Sequence, residues 1–444
     1  MLIFKADNQI FSQKHVWHNS CCGARTHIKN CRTKKETKIK ANLFTRFIQG
    51  RKIFSLYQPI VSIQRGAVLG VEALARGKDV LTGDIIPPDT MFHQAAKCGM
   101  TLELDRVCRE KALEGFASMD EHNRHLLSIN LDTSCINQDV SGSRFLLKQV
   151  KNAGIGNNHV VLELLESRAS STEALMKFIS AYRRKNFLIA LDDVGSGFSN
   201  LERIPLIKPD ILKLDRSLVS NVHKHFHKQE LVRSFVQLGY RTGSQVVAEG
   251  VESPEEVVCL LELGIGLFQG FYFARPSASP LKDQGIVEKI KKVSNMYRRK
   301  TTSRLNTEQK EFHKYREIMD HACSMLINIM DSEIEQSLAQ CLDTEPKLEC
   351  LYVLNTEGIQ ISATICNPNR LTKSRQILYE PAARGSDHSL KEYYLPIGAG
   401  QTEHTTDRYI SQASGNPCVT IARFINNKTD RGKLILCADI GCGY

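Results

Sequence analysis

Residues 188–197 read LIALDDVGSG: an apolar run, two adjacent carboxylates (Asp192 and Asp193), then Val194 and two glycines, Gly195 and Gly197. The run has the character of a strand buried on both faces. Neighbours on a regular strand point to opposite faces, so both aspartates reach one centre only if the strand ends there. The glycines allow that turn. The same pattern extends outward along the chain, with strand candidates at Phe54–Val61, Val68–Ala75, Leu126–Leu131, Val160–Leu164, Ile211–Leu214, Gln245–Ala248 and Leu267–Phe273. Amphipathic stretches lie between them at Leu102–Met119, Thr172–Lys185, Glu230–Gly239 and Pro254–Leu263. The last has a sound start, with Ser253 as N-cap, Pro254 at the first helical position and Glu256 three residues after the cap. This alternation is that of βα units around a parallel sheet. Eight strands suit a closed α/β barrel, with a doubly wound open sheet as the alternative. No glycine-rich phosphate loop follows the first strand, which weakens the open sheet.

Almost every strand candidate carries a polar side chain at or near its C-terminal end: Glu72, Asn130, Glu163, Asp192 with Asp193, Lys213, Glu249 and Gln269. Barrel strands deliver those ends to one mouth, where active sites are built. Any one of these carboxylates alone reads as a surface or capping group. Gathered in one mouth, however, five carboxylates repel one another unless cations are bound. Oxygen ligands without His or Cys select Mg²⁺ or Mn²⁺ over zinc or copper. Two such ions roughly 3.5–4 Å apart would clamp a phosphodiester for in-line attack by water.

The ordered series E-A-L at Glu72–Leu74, N-L at Asn130–Leu131, E-L-L-E at Glu163–Glu166, D-D-V-G-S-G at Asp192–Gly197, K-L-D at Lys213–Asp215, A-E-G-V-E at Ala248–Glu252 and Q-G-F at Gln269–Phe271 resembles the EAL phosphodiesterases over about half of the chain. That resemblance implies an EAL-type (β/α)8 TIM-like barrel that hydrolyses cyclic di-GMP to linear pGpG. It implies Glu72, Asn130, Glu163 and Asp192 as ligands of one metal, and Asp192, Asp193 and Glu249 as ligands of the second. Lys213 matches the lysine that orients the attacking water, Glu166 the glutamate securing the loop after Asp193, and Glu252 a carboxylate behind the metals. Leu74, Arg76 and Gln269 match substrate contacts, and Arg76 suits a phosphate oxygen. Val194 and Leu165 depart from the usual aromatic and threonine, which touches loop positioning rather than metal ligation. The alternative reading is a receptor that binds the nucleotide without turnover, and a third is another two-metal phosphodiesterase.

The 444 residues are too many for one ordinary core. Composition divides them into a basic arm (1–42), the barrel (43–281), a charged helical linker (282–345) with a break near Thr301 to Asn306, and an α+β domain (346–444) that resembles PAS/Cache-like sensors. A small ligand on that last domain would have His388, Tyr394 and Arg408 as pocket residues, though these equally suit core and rim positions. The net charge of +11 lies largely in the arm and in Lys289 to Arg304, and reads as solvated segments with no nucleic-acid motif. The arm's His15, His18, Cys21, Cys22, His27 and Cys31 match no zinc-finger spacing, and His223, His225 and His227 read as a solvated helix entry. Single cysteines and the lack of a spanning apolar run give the expectation of reduced thiols, a cytoplasmic location and no membrane span. The resemblance adds the expectation of a homodimer.

Overall fold

The computed structural model describes residues 44–45, 47–48, 50, 52–79, 82–133, 136, 144–165, 172–196, 202–282, 284–327, 330–370, 379–426 and 433–442. The basic arm with its histidines and cysteines, Glu166 and Gly197 lie outside them. By compactness the chain divides into two units, Met1–Thr301 and Thr302–Tyr444.

The first unit is a closed barrel. Its strands are β1 (Ile53–Ser62), β2 (Ala67–Lys78), β4 (Leu126–Leu131), β5 (Val160–Leu165), β6 (Leu188–Val194), β7 (Ile211–Leu214), β8 (Gln245–Ala248) and β9 (Leu267–Phe268). They run in the order β1-β9-β8-β7-β6-β5-β4-β2, and β1 pairing with β2 closes the ring. A two-residue β3 (Ile85–Ile86) pairs with the far end of β2. From β2 round to β9 every pairing is parallel.

The first strand corrects the all-parallel expectation: β1 runs antiparallel to both β2 and β9. The cause is chain length. Only Ile63–Gly66 separate β1 from β2, far short of the dozen or so residues that a parallel crossover needs. β9 is also shorter than expected, because after Gln269 the chain turns against Val251. An alanine Cβ at Gly270 would lie 2.2 Å from the Val251 carbonyl oxygen, so only glycine allows that approach.

Alternation along the strands sorts side chains into two cores. Leu162, Leu164, Ile189, Leu191, Leu212, Leu214 and Phe268 pack outward against the helices, among them Thr101–Ala117, Thr172–Arg183 and Pro254–Glu262. Ile60, Val161, Ala190, Ile211, Val247 and Leu267 fill the barrel interior as an apolar floor. Two residues further along five of these strands stand Glu163, Asp192, Lys213, Glu249 and Gln269. In β1, which runs the other way, the step is backwards, from Ile60 to Gln58.

The segment read as a broken linker is a continuous helix, Gln284–Leu326. Its two ends serve different cores: Ile286, Ile290 and Val293 belong to the barrel's outer core, while Ile318, Met319, Ala322 and Leu326 belong to the core of the second unit. The second unit adds a helix, Ile334–Thr344, and an antiparallel sheet. Its strands are β10 (Leu348–Leu354), β11 (Ile365–Cys366), β12 (Glu403–Thr405), β13 (Tyr409–Ile410), β14 (Pro417–Asn426) and β15 (Lys433–Gly441), in the order β11-β10-β15-β14-β12 with β13 on β14. One sheet face packs Leu351, Val353, Leu436 and Ala438 against the helices. The other carries Tyr352, Leu354, Ala422 and Cys437 together with the buried acid Asp439.

Candidate active site

One buried ammonium organises the mouth of the barrel. Nζ of Lys213 lies 2.6 Å from Glu249, 2.9 Å from Glu163 and 3.3 Å from both Glu72 and Asp192. Lys213 is 1% exposed and Glu163 is fully buried. Burial pulls the Lys213 pKa down, but Asp192, Glu163, Glu249 and Glu72 outweigh it and hold the ammonium well above its ordinary value. Burial and the surrounding carboxylates push Glu163, Asp192 and Glu249 up. Glu72 goes the other way: burial is outweighed by the Lys213 charge and by hydrogen bonds from Gln269 and Asn130.

Those bonds define the wall on the β1–β2 side. The Asn130 amide donates to Glu72 Oε1 at 2.8 Å, and Gln269 Nε2 donates to Glu72 Oε2 at 2.6 Å. Gln269 also donates to Gln58 Oε1 at 3.2 Å, and Gln58 in turn donates to the Ala274 carbonyl. Glu72 stands mid-strand in β2, opposite Gln58, rather than at a strand end. Behind Asn130, the buried Asp105 accepts the backbone N–H of Asp132 and pairs with Arg109 at 2.7 Å. These contacts fix where β4 ends.

Asp192 and Asp193 reach the same place by a route that differs from a simple strand end. Strand β6 continues to Val194, which pairs with Leu214, and the register slips between Leu191 and Val194. The slip is a bulge with Asp193 in the left-handed region at φ 55° and Gly195 at φ 94°. The Asp193 N–H donates to Asp192 Oδ1 at 3.0 Å. Burial, then Asp192 and Asp215, push the Asp193 carboxyl up to about 6. Ligand oxygens of Asp192, Asp193 and Glu249 consequently lie within 4.8 Å of one another.

A divalent cation fits this donor set. Oε2 of Glu163 is buried with no donor among the described residues, and Oε1 of Glu163 and Oε1 of Glu249 have the shared Lys213 ammonium beside them, at 2.9 and 2.6 Å. Clustered hard oxygens with unused lone pairs are the environment that Mg²⁺ and Mn²⁺ bind.

The remaining site residues lie further out. Leu74 and Arg76 follow Glu72 on β2 and are half-buried; Arg76 donates to the Ala75 carbonyl, and its pKa is lowered by burial. Glu252 is exposed and pairs with Arg216 at 2.9 Å, outside the carboxylate cluster. The Asp215 side chain caps the short helix Arg216–Val219, accepting the Ser217 N–H. Gln58, Asp105 and Arg109 are the residues that sequence reasoning missed. Gln58 was legible, being a polar residue two positions before the floor residue Ile60.

Residues 41–276, more than half of the chain, match the EAL domain model. The chain belongs to the EAL domain family. It is similar to the Escherichia coli oxygen sensor protein DosP, 28% identical over 52% of this chain and 29% of DosP. It is also similar to the probable cyclic di-GMP phosphodiesterases PdeB and PdeG of the same organism, at 27% and 29% identity over 53% of this chain and 44% and 46% of theirs. The chain therefore spans less than half the length of these relatives. Among solved structures, the Bacillus subtilis YkuI protein with an EAL domain, in complex with substrate c-di-GMP and calcium, aligns with TM-score 0.75 at 22% identity over 91% of this chain and 99% of YkuI. That likeness extends beyond the EAL barrel and is one of fold.

Proposed function

We propose that this chain hydrolyses cyclic di-GMP to linear pGpG with two divalent cations, Mg²⁺ or Mn²⁺, at the mouth of its EAL barrel. The observation that carries the reading is the ring of Glu72, Glu163, Asp192 and Glu249 around Lys213, with Asp193 turned into the same centre. The PdeB and PdeG names and the c-di-GMP bound to YkuI support the choice of substrate. Glu72, Asn130, Glu163 and Asp192 would hold one ion, and Asp192, Asp193 and Glu249 the other. Such ions polarise a phosphodiester oxygen and acidify a water nucleophile.

The protein's own residues supply the rest. Lys213 balances the carboxylate charge and orients water beside it. The Arg76 guanidinium receives a phosphate oxygen, and Leu74 offers an apolar edge to a guanine. Gln269 must loosen its hold on Glu72 to meet substrate. Glu166 secures the loop after Asp193, and Glu252 holds Arg216 beside the metal-binding residues.

The second unit, read as a PAS/Cache-like module with a small ligand, modulates turnover, and the chain works as a homodimer. Support for the small ligand comes from the polar groups buried against the second sheet face, where His388 pairs with Tyr393 at 2.5 Å. The decisive assay incubates purified protein with cyclic di-GMP and Mg²⁺ or Mn²⁺ and separates the products. Formation of pGpG that fails with Ca²⁺ alone supports the reading. Tight nucleotide binding without product under every metal identifies a receptor instead.

A further inference from the structure

Two cysteines stand face to face at the edge of the second unit's sheet. Cys350 in β10 is directly opposite Cys366 in the edge strand β11, and their sulfurs are 2.7 Å apart. The Asn367 N–H donates to the Glu349 carbonyl at 2.8 Å, which makes 349/367 a hydrogen-bonded pair. In an antiparallel ladder the next pair, 350/366, is then of the non-bonded kind, with Cα atoms about 4.5 Å apart and side chains closest. That separation falls within the range a disulfide spans. Cys350 is buried, whereas Cys366 is half-buried and meets solvent.

We propose that Cys350 and Cys366 form an oxidative modification site, converted by peroxide-class oxidants to a cross-strand disulfide that clasps β11 to β10. Hydrogen peroxide first oxidises the Cys366 thiol to a sulfenic acid, releasing one water. The Cys350 sulfur then attacks the Cys366 sulfur: the S–S bond forms, the S–O bond breaks, and the Cys350 proton leaves with hydroxide as the second water. Two thiols are thus oxidised and one peroxide is reduced. Contact with Cys366, followed by burial, holds the Cys350 thiol protonated, so Cys366 is the sulfur that meets the oxidant. The new bond closes the base of the β10–β11 hairpin. Inside that loop the Ile361 N–H donates to the Val353 carbonyl, the Val353 N–H donates to Ser362 Oγ, and Gln360 Nε2 donates to the Ser362 carbonyl.

The test uses the whole 444-residue chain. Reduced protein is exposed to a few-fold excess of hydrogen peroxide, free thiols are blocked with N-ethylmaleimide, and peptides are mapped without reductant. The expected result is one linked peptide joining Cys350 to Cys366, lighter by two hydrogens and released by dithiothreitol. Amide exchange at Val353 and Ile361 should slow on oxidation, and this slowing should be lost in Cys366→Ser. Three outcomes overturn the proposal: both thiols remaining alkylatable, Cys366 proceeding to sulfinic acid with Cys350 free, or either cysteine linking elsewhere. If Cys366→Ser fails to fold, the wild-type peptide map decides alone.

Discussion

Lys213 is one cation facing four carboxylates, and its removal tests how the barrel tolerates that charge. Lys213→Ala leaves buried acids without a partner, a loss that typically costs about 3–5 kcal/mol. Unfolding monitored in chelator should show that drop, and Mg²⁺ or Mn²⁺ should restore more stability to the variant than to the wild type. Asp192→Ala removes a carboxylate common to both proposed ion sites, so turnover should fall by at least about 10²–10³. Steady-state rates with saturating Mn²⁺ measure it, and a wild-type rate would end the two-metal reading. At this scale most of the cluster was legible in the sequence, because each polar residue follows an apolar strand core. Asp105 and Arg109 were not, since a buried ion pair on a helix has the same i,i+4 spacing as a solvated one.

At the scale of elements, the bulge in β6 turns two adjacent aspartates to one side, and Gly195 makes it affordable. An alanine Cβ at Gly195 would sit 2.2 Å from Leu218 Cδ1 in a left-handed conformation. Gly195→Ala should therefore misplace Asp193 and weaken Mn²⁺ binding, read by titration calorimetry, while the apo fold persists. The helix Pro254–Glu262 begins with a capping box of Ser253 and Glu256. Ser253→Ala should cost about 0.5–2 kcal/mol in denaturant unfolding. Strand positions and this cap were readable because periodicity and cap chemistry are local. The direction of β1 was not read from its own residues, since alternation is the same in either direction; the four-residue connection Ile63–Gly66 carried that information. The bulge left no signal beyond the two glycines.

For the whole molecule, the composition boundary near residue 281 cuts through a structural dependence. Ile286, Ile290 and Val293 complete the barrel's outer core, each worth roughly 1.5–3 kcal/mol when buried. A chain ending at Thr301 should melt higher than one ending at Pro280, and calorimetry on the two distinguishes them. In the second unit, burial pushes Asp439 up to about 6 from its ordinary 3.8, against hydrogen bonds from Thr420 and Ser411 that lower it. A raised folded-state pKa stabilises below the unfolded value and loses that contribution as pH rises through the folded one. Amide exchange in β14 and β15 should thus quicken between about pH 4 and 6, and this pH dependence should shrink in Asp439→Asn.

The reversed first strand also determines where the barrel can breathe. β1 is sewn to β2 along ten residue pairs but to β9 only at Val61–Phe268 and Ser62–Leu267, with one further bridge between Tyr57 and Ser277. On its other side β9 is held as thinly, by Val247–Leu267 and Ala248–Phe268, so both of this short strand's seams are slight. Gln269 directly follows β9, holding Glu72 from one side and Gln58 from the other. Parting β9 from β1 would carry that amide off Glu72, so a thin join in the wall also bears the latch of the mouth.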